Sequence, residues 1–179
     1  MVHIRLARLG DWERALEVET QFETRSTWQV EERSGEEQWG AILRPARLPR
    51  PQKVRLPRFP DNAQLRIWEG RDVFWVASEG SRILGYLGLL VEAERFVARI
   101  ADLAVDAGRR REGIGTALVA QAESWAIRQG LRQLTIACPL KAEPAIAFLR
   151  RLGFVPAGFQ DAYWPQQEAA FIFRKRLRR

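Results

Sequence analysis

With 179 residues, 46% of them hydrophobic, the chain is long enough to bury a real core, and a single domain over 1–179 is expected. One cysteine, Cys138, excludes an internal disulfide and fits a reducing compartment, and a lone His3 beside it leaves no metal site. The net charge of +7 is almost all arginine, with Lys only at 53, 141 and 175; coding composition explains that bias as readily as an anionic partner, so nucleic acid is not the expected partner.

The opening Met1-Val2-His3-Ile4-Arg5-Leu6 has no apolar signal region, and Val2 to Leu6 alternates as a short strand. Asp11 then caps a helix with Trp12, Ala15, Leu16 and Phe22 as apolar positions. A second helix is expected from about Val30 to Leu43. The acidic stretch Asp11 to Glu37 gives way to a basic one, Arg44 to Arg58. Residues 44–60 hold Pro45, Pro49, Pro51, Pro57 and Pro60, too many for a helix interior or a central strand, and read as a loop or extended insert. Asp61 caps a short helix through Trp68.

A β region follows. Val73 to Ser78 and Ile83 to Val91 flank the turn Glu79-Gly80-Ser81, and Phe96 to Val105 is a third strand. Ile83 to Val91 is also the longest apolar stretch, well short of the roughly 20 residues that cross a bilayer, so a cytoplasmic protein with no membrane partner is expected. Ile114, Leu118, Ala122 and Trp125 recur at helical spacing, with Gly130 as the stop. Leu134 to Cys138 reads as a buried strand. A helix comes next, with Pro144 in its first turn, Phe148 and Leu152 on one face and Gly153 ending it. Phe154-Val155 and Ala169 to Phe173 return to extended chain. Strands broken by helices in this way predict a layered α/β (α+β) domain.

The most informative stretch joins the third strand to the helix at Ile114. Val105 ends an apolar run, a loop rich in Arg and Gly follows, and the helix N-terminus presents unpaired N–H groups at the positive end of its dipole. Phosphate binds at such a place, and glycines at 113 and 115 let a diphosphate approach the main chain. No Lys-Ser/Thr follows the second Gly, so this is not a Walker loop, and Leu118 stands where a dinucleotide fingerprint needs its third Gly.

Arg110-Arg111-Glu112-Gly113-Ile114-Gly115 resembles the Gln/Arg-x-x-Gly-x-Gly/Ala loop of the GNAT superfamily of N-acetyltransferases. Ile4-Arg5-Leu6-Ala7, Ile100 to Val105 and Ala145 to Phe154 are similar to further motifs of that family, in the same order. The chain from Gly158 to Tyr163 and from Glu168 to Phe173 is similar to the streptothricin-acetyltransferase-like branch. The resemblance implies the GNAT fold, a mixed, mostly antiparallel central sheet flanked by helices, and acetyl-CoA as the acetyl donor. It implies that backbone groups of Leu103, Ala104 and Val105 hold the pantetheine arm and that the loop Arg110, Arg111, Glu112, Gly113, Ile114, Gly115 and Thr116 holds the diphosphate. Phe148 and Arg151 flank the other side. The acceptor implied is a small primary amine, cationic by the hint of the branch and the acidic N-terminal region; homodimerisation stays open.

Two positions depart from the family pattern. Leu149 stands where many relatives carry a Tyr that protonates the leaving thiolate, and Ala142 where they often carry Asn. Asp102 is the first candidate for the base, weighed equally against a structural carboxylate, and Tyr163 is a substitute acid by elimination. Trp28, Trp39, Trp68 and Trp164 are candidates to line an acceptor pocket, with core packing as the alternative. Two further readings stay open: an acetyl-CoA-binding regulator without turnover, suggested by Leu149, and a module docking on nucleic acid or an acidic protein through 44–60.

Overall fold

The computed structural model describes residues 1–37, 39–55, 61–164 and 167–178. In chain order they form β1 (His3–Leu6), α1 (Asp11–Leu16), β2 (Phe22–Ser34), β3 (Trp39–Val54), α2 (Asp61–Glu69), β4 (Val73–Glu79) and β5 (Arg82–Glu92). Then come β6 (Val97–Val105), α3 (Ile114–Arg128), β7 (Gln133–Pro139), α4 (Glu143–Arg151), β8 (Val155–Gln160) and β9 (Ala170–Arg176). Seven strands make one sheet in the order β1-β4-β5-β6-β7-β9-β8. Every neighbouring pair is antiparallel except β6 with β7. The expected mixed, mostly antiparallel sheet between helices is therefore present.

Alternation along the strands feeds two cores. On one face Leu87, Leu89, Ile100, Leu134, Ile136 and Phe173 pack under α3 and α4 with Leu118, Ile146 and Leu149. On the other, Phe74, Val76, Tyr86 and Ala104 meet α1 and α2 through Ala15 and Trp68. Trp12 lies 4.6 Å from Phe74, and Trp68 lies 4.9 Å from Tyr86, ring centre to ring centre. Trp68 is thus core mass rather than the wall of a pocket.

Two expectations for the N-terminal third fail. Helix α1 ends at Leu16, and Phe22 opens a strand instead of extending the helix. The helix expected over 30–43 is replaced by the β2–β3 hairpin, which forms a two-stranded sheet of its own. Thr24, Thr27 and Val30 favour extended chain, and Gly35 falls in mid-segment where a helix would pay about 1 kcal/mol for it. Val30 stands opposite Leu43, and Trp28 and Leu43 bury apolar surface against the core.

The Pro-rich insert is also strand up to Val54; residues 56–60, and the side chain of the expected cap Asp61, lie outside the described residues. Prolines are tolerated because β3 has only β2 as neighbour, leaving one edge free of ladder bonds. Between Thr24 and Ser26 the register jumps from Gln52 to Arg47, so Pro49 and Pro51 sit in a bulge.

Helix α1 is fastened by its first residue. The buried Asp11 carboxylate accepts from Arg5 Nη1 at 2.5 Å, Arg5 Nη2 at 3.0 Å and the Arg8 amide at 2.7 Å. Hydrogen bonding by Arg5 lowers its pKa against the opposing effect of burial. A carboxylate whose folded pKa is depressed stabilises the fold above its unfolded pKa of about 3.9, and that contribution fades as pH falls through the folded value. Asp11→Ala is expected to lower the unfolding free energy by about 3 kcal/mol at pH 7. Denaturant melts from pH 7 down to pH 2 should show the gap between wild type and variant closing only below about pH 4; a gap that persists at pH 2 would contradict this.

Candidate active site

The site forms where β6 and β7, the one parallel pair, part company. They pair over Val97–Ile100 and Gln133–Ile136 only. Opposite β5 the register shifts between Gly88 and Leu89, from Asp102 to Ile100, so Ala101 is an extra residue that bends β6. Beyond the bulge, residues 102–105 pair with β5 on one side and, among the described residues, with no strand on the other. Leu103, Ala104 and Val105 thus border an open wedge whose far wall is the end of β7.

The loop after β6 is held rigidly at both ends. Asp106 donates its amide to Leu84 O at 2.8 Å, and its carboxylate accepts from the Gly108 amide at 3.1 Å. Arg109 is clamped between Glu79 (2.9 Å) and Glu112 (2.9 Å), and it holds the Glu79 carboxyl below the usual range. Glu112 therefore spends its charge on Arg109 rather than opposing an anion at the loop.

Arg111 (φ 71) and Gly113 (φ 83) both adopt the left-handed conformation, and Gly113 is the N-cap of α3, with no side-chain cap. Alternating backbone of this kind turns successive N–H groups toward one concavity. The amides of Arg111, Glu112, Gly113, Ile114, Gly115 and Thr116 meet no acceptor among the described residues. A Cβ built on Gly113 would meet nothing within 4 Å, so the glycine borders open space. One built on Gly115 would lie 3.2 Å from Phe148 Cζ, because α4 packs tightly against the start of α3. These features suit the diphosphate of a coenzyme: an uncapped helix N-terminus, unpartnered amides and room for an anion.

Arg110 is expected to contribute its main-chain amide, and its side chain is occupied within the protein. It turns back, Nε donating to Val105 O at 3.1 Å and Nη2 to Glu19 O at 3.4 Å. Burial lowers its pKa, with Asp106 and Glu19 opposing. The guanidinium therefore binds protein carbonyls, Val105 O among them. The Ala107 amide also donates to Glu19 O, at 2.9 Å. From this anchor at the end of β6, β2 runs to the end of β7, where the Trp28 amide donates to Leu140 O at 2.9 Å. The first half of β2 thus spans the mouth of the wedge.

Asp102, on the bent part of β6, faces α2. Trp68 Nε1 donates to Oδ1 at 3.1 Å and Arg71 Nε to Oδ2 at 2.5 Å. Both carboxylate oxygens are engaged, and the ion pair is largely shielded, with side-chain exposures of 14% for Arg71 and 13% for Asp102. Tyr163 stands apart from it. The tyrosine lines a second cleft with Arg99, Gln133 and Thr135, at the paired stretch of β6 and β7, and its ring contacts Trp164 at 4.7 Å.

Leu149 is 1% exposed and belongs to the core, so α4 turns this position toward the sheet with no proton to offer. Phe148 borders Gly115, and Arg151, three residues on, is exposed with no ion-pair partner among the described residues. Cys138 is buried in β7 and burial pushes its thiol up to about 12, which removes it as a nucleophile at neutral pH. Among the described residues no cluster of His, Cys, Asp and Glu is arranged to hold a metal, and no helix is long and apolar enough to cross a membrane.

The sequence did not reveal Arg71 as the partner of Asp102. Nor did it reveal a cleft beside the wedge that Trp28, Leu140 and Asp161 line. These residues are far apart in the chain and share no local pattern. Of the four tryptophans considered for a pocket, Trp28 does line a cleft and Trp68 is buried; the Trp39 side chain lies outside the described residues.

The fold is similar to that of nourseothricin acetyltransferase, with a TM-score of 0.84, 22% identity and 99% of each chain covered. It is also similar to a streptothricin acetyltransferase of Bacillus anthracis solved with acetyl coenzyme A, with a TM-score of 0.76, 18% identity, and coverage of 99% of this chain and 98% of that one. In sequence, 89 residues (48% of the chain) are 29% identical to N-acetyltransferase family 8 member 3 of Rattus norvegicus and span 39% of its length. Residues 37–154 match the model of the acetyltransferase (GNAT) family, an interval that contains the wedge, the amide-lined loop and α4. By its sequence and by the geometry of this site, the chain belongs to the acetyltransferase (GNAT) family.

Proposed function

We propose that the protein transfers an acetyl group from acetyl-CoA to a primary amine by direct attack in a ternary complex. The observation that carries this reading is the run of unpartnered amides at 111–116 beside the unpaired edge of β6. The amides from Arg111 to Thr116 would take the diphosphate, with exposed Arg111 adding charge. Main-chain groups of Leu103 and Ala104 would take the pantetheine arm as an added strand, with Phe148 and Arg151 along its other side. Bound acetyl-CoA supplies an activated acyl group as a thioester.

The protein's own part is to orient the acceptor and move its proton. Strand β2 closes the mouth of the wedge and so limits how an amine approaches. Asp102 is the carboxylate on the bent strand, and we assign it the amine proton through an intervening water, with Trp68 and Arg71 fixing its orientation. Tyr163 is not given the acid's role, since it lines the second cleft; a thiol titrating near pH 8.5 departs without a donor. A panel of aminoglycosides, streptothricin-like compounds, polyamines, amino acids and peptides, read out as free CoA, tests the reading. Release with at least one amine is expected. Tight acetyl-CoA binding with no release from any of them would favour a regulator without turnover, to which buried Leu149 points.

A further inference from the structure

The cleft that Tyr163 lines holds about 460 Å³ and lies on the sheet face turned away from α3 and α4. Arg99, Gln133, Thr135 and Ile172 face it, while their neighbours Ala98, Ile100, Leu134 and Phe173 enter the core. The register gathers cationic and polar groups into one row. Arg99 stands beside Thr135, and Thr135 stands opposite Arg174. Neighbouring strands lie about 4.8 Å apart, so two guanidiniums flank one hydroxyl within reach of a common ligand. Their charge is poorly balanced. Among the described residues of the lining Glu92 is the one acid, and it faces both Arg95, at 3.0 Å, and Arg99, at 3.7 Å. The longer contact leaves Arg99 without a hydrogen bond, and Arg174 has neither a hydrogen bond nor an ion pair among the described residues. The Thr135 hydroxyl and the Gln133 amide group are equally unengaged there. Arginines on a convex surface are simply hydrated, whereas a recess with apolar walls such as Val97 and Ile172 concentrates their field.

We infer that this cleft binds a carboxylate of the acceptor, several bonds away from the amine that reacts. The inference rests on the acetyl-transfer reading and replaces the plain cation expected from the acidic N-terminal region with an amine that also carries an acid group. Asp102, to which the amine proton is assigned, meets Trp68 of α2 and so lies on the same face of the sheet as the cleft. Arg99 precedes it by three residues on β6, roughly 10 Å at about 3.3 Å per residue. Gln160 lines the end of the cleft nearer the wedge, since its partner Ala170 pairs with Pro139 at the end of β7. An extended acceptor with its amine at the wedge therefore lays its acid group over Thr135. Arg99 and Arg174 hold the two oxygens from either side, and charge-assisted bonds of this kind are the strong ones.

Calorimetric titration of the CoA-loaded protein with 6-aminohexanoate and 8-aminooctanoate, each beside its uncharged carboxamide, tests this without depending on turnover. At least one acid is expected to bind about tenfold more tightly than its carboxamide, the scale of two partly exposed ion pairs, and to lose that advantage as salt is raised. The double variant Arg99→Gln, Arg174→Gln should bind acid and carboxamide alike and keep its affinity for acetyl-CoA. Absence of any acid preference in the wild type, or a preference that survives in the double variant, would overturn the subsite. CoA release is measured in parallel on the same proteins. Release without acid preference counts against the subsite alone. No release from any amine, with the acid preference intact, counts against acetyl transfer and leaves the carboxylate site in place.

Discussion

Gly113→Val is expected to weaken acetyl-CoA binding at least tenfold while the protein still folds cooperatively. Gly113 has φ 83 and caps α3, so any side chain there costs about 1–2 kcal/mol in backbone strain. Alanine pays that same strain but adds only a methyl at the edge of the open space. Valine adds branches that stand where the diphosphate would lie. Each charge-assisted amide bond lost contributes about 1.5–3 kcal/mol, so displacing one or two of them corresponds to about ten- to ten-thousandfold in affinity. Thermal melts and calorimetric titrations of both variants separate the two effects. Similar destabilisation with a much larger affinity loss for valine is the expected pattern; unchanged affinity in Gly113→Val would show that the diphosphate lies elsewhere.

Asp102→Asn carries the second large effect, and it divides into stability and chemistry. Removing the charge leaves Arg71 shielded without its ion-pair partner, at an expected cost of about 2–3 kcal/mol, below the 3–5 kcal/mol of a fully buried pair because both side chains keep some exposure. Turnover with the best amine should fall about a hundredfold, the lower end of what a positioned base contributes. A double variant, Asp102→Asn with Arg71→Met, separates the roles, because it removes the unpaired charge together with the carboxylate. Stability should return toward wild type while turnover stays low. Recovery of turnover along with stability would make Asp102 an anchor for α2 and remove it from proton transfer.

Which parts of this molecule a sequence reveals depends on how local their causes are. The strand, glycine loop and helix from Ile100 to Ala122 announce themselves because bend, caps and apolar spacing lie within one short run. So does α4, with Pro144 in its first turn and Gly153 beyond its end. The hairpin is not legible locally because Val30, Ile42 and Leu43 fit a helical stripe as well as a strand face, and the prolines argue only against a helix interior or a central strand. What decided the outcome was tertiary: Trp28 and Leu43 find the core, and β3 needs only one neighbour.

The chemistry of individual side chains was legible only in part. Arg110 stands at the motif position expected of it, yet the Glu19 carbonyl that captures its guanidinium comes from a loop 91 residues away. Likewise Asp102 and Arg71 are 31 residues apart and joined by no pattern. The cleft beside the wedge is assembled from β2, the turn after β7 and the residue after β8, so no single stretch carries it.

The central claim is that main-chain donors at the start of α3 grip the diphosphate of acetyl-CoA. A crystal structure of the protein with acetyl-CoA tests it most directly. The diphosphate oxygens are predicted to lie about 2.7–3.2 Å from main-chain nitrogens between Arg111 and Thr116, with the pantetheine arm along the open edge of β6. Acetyl-CoA bound elsewhere, with those nitrogens facing solvent, would contradict it.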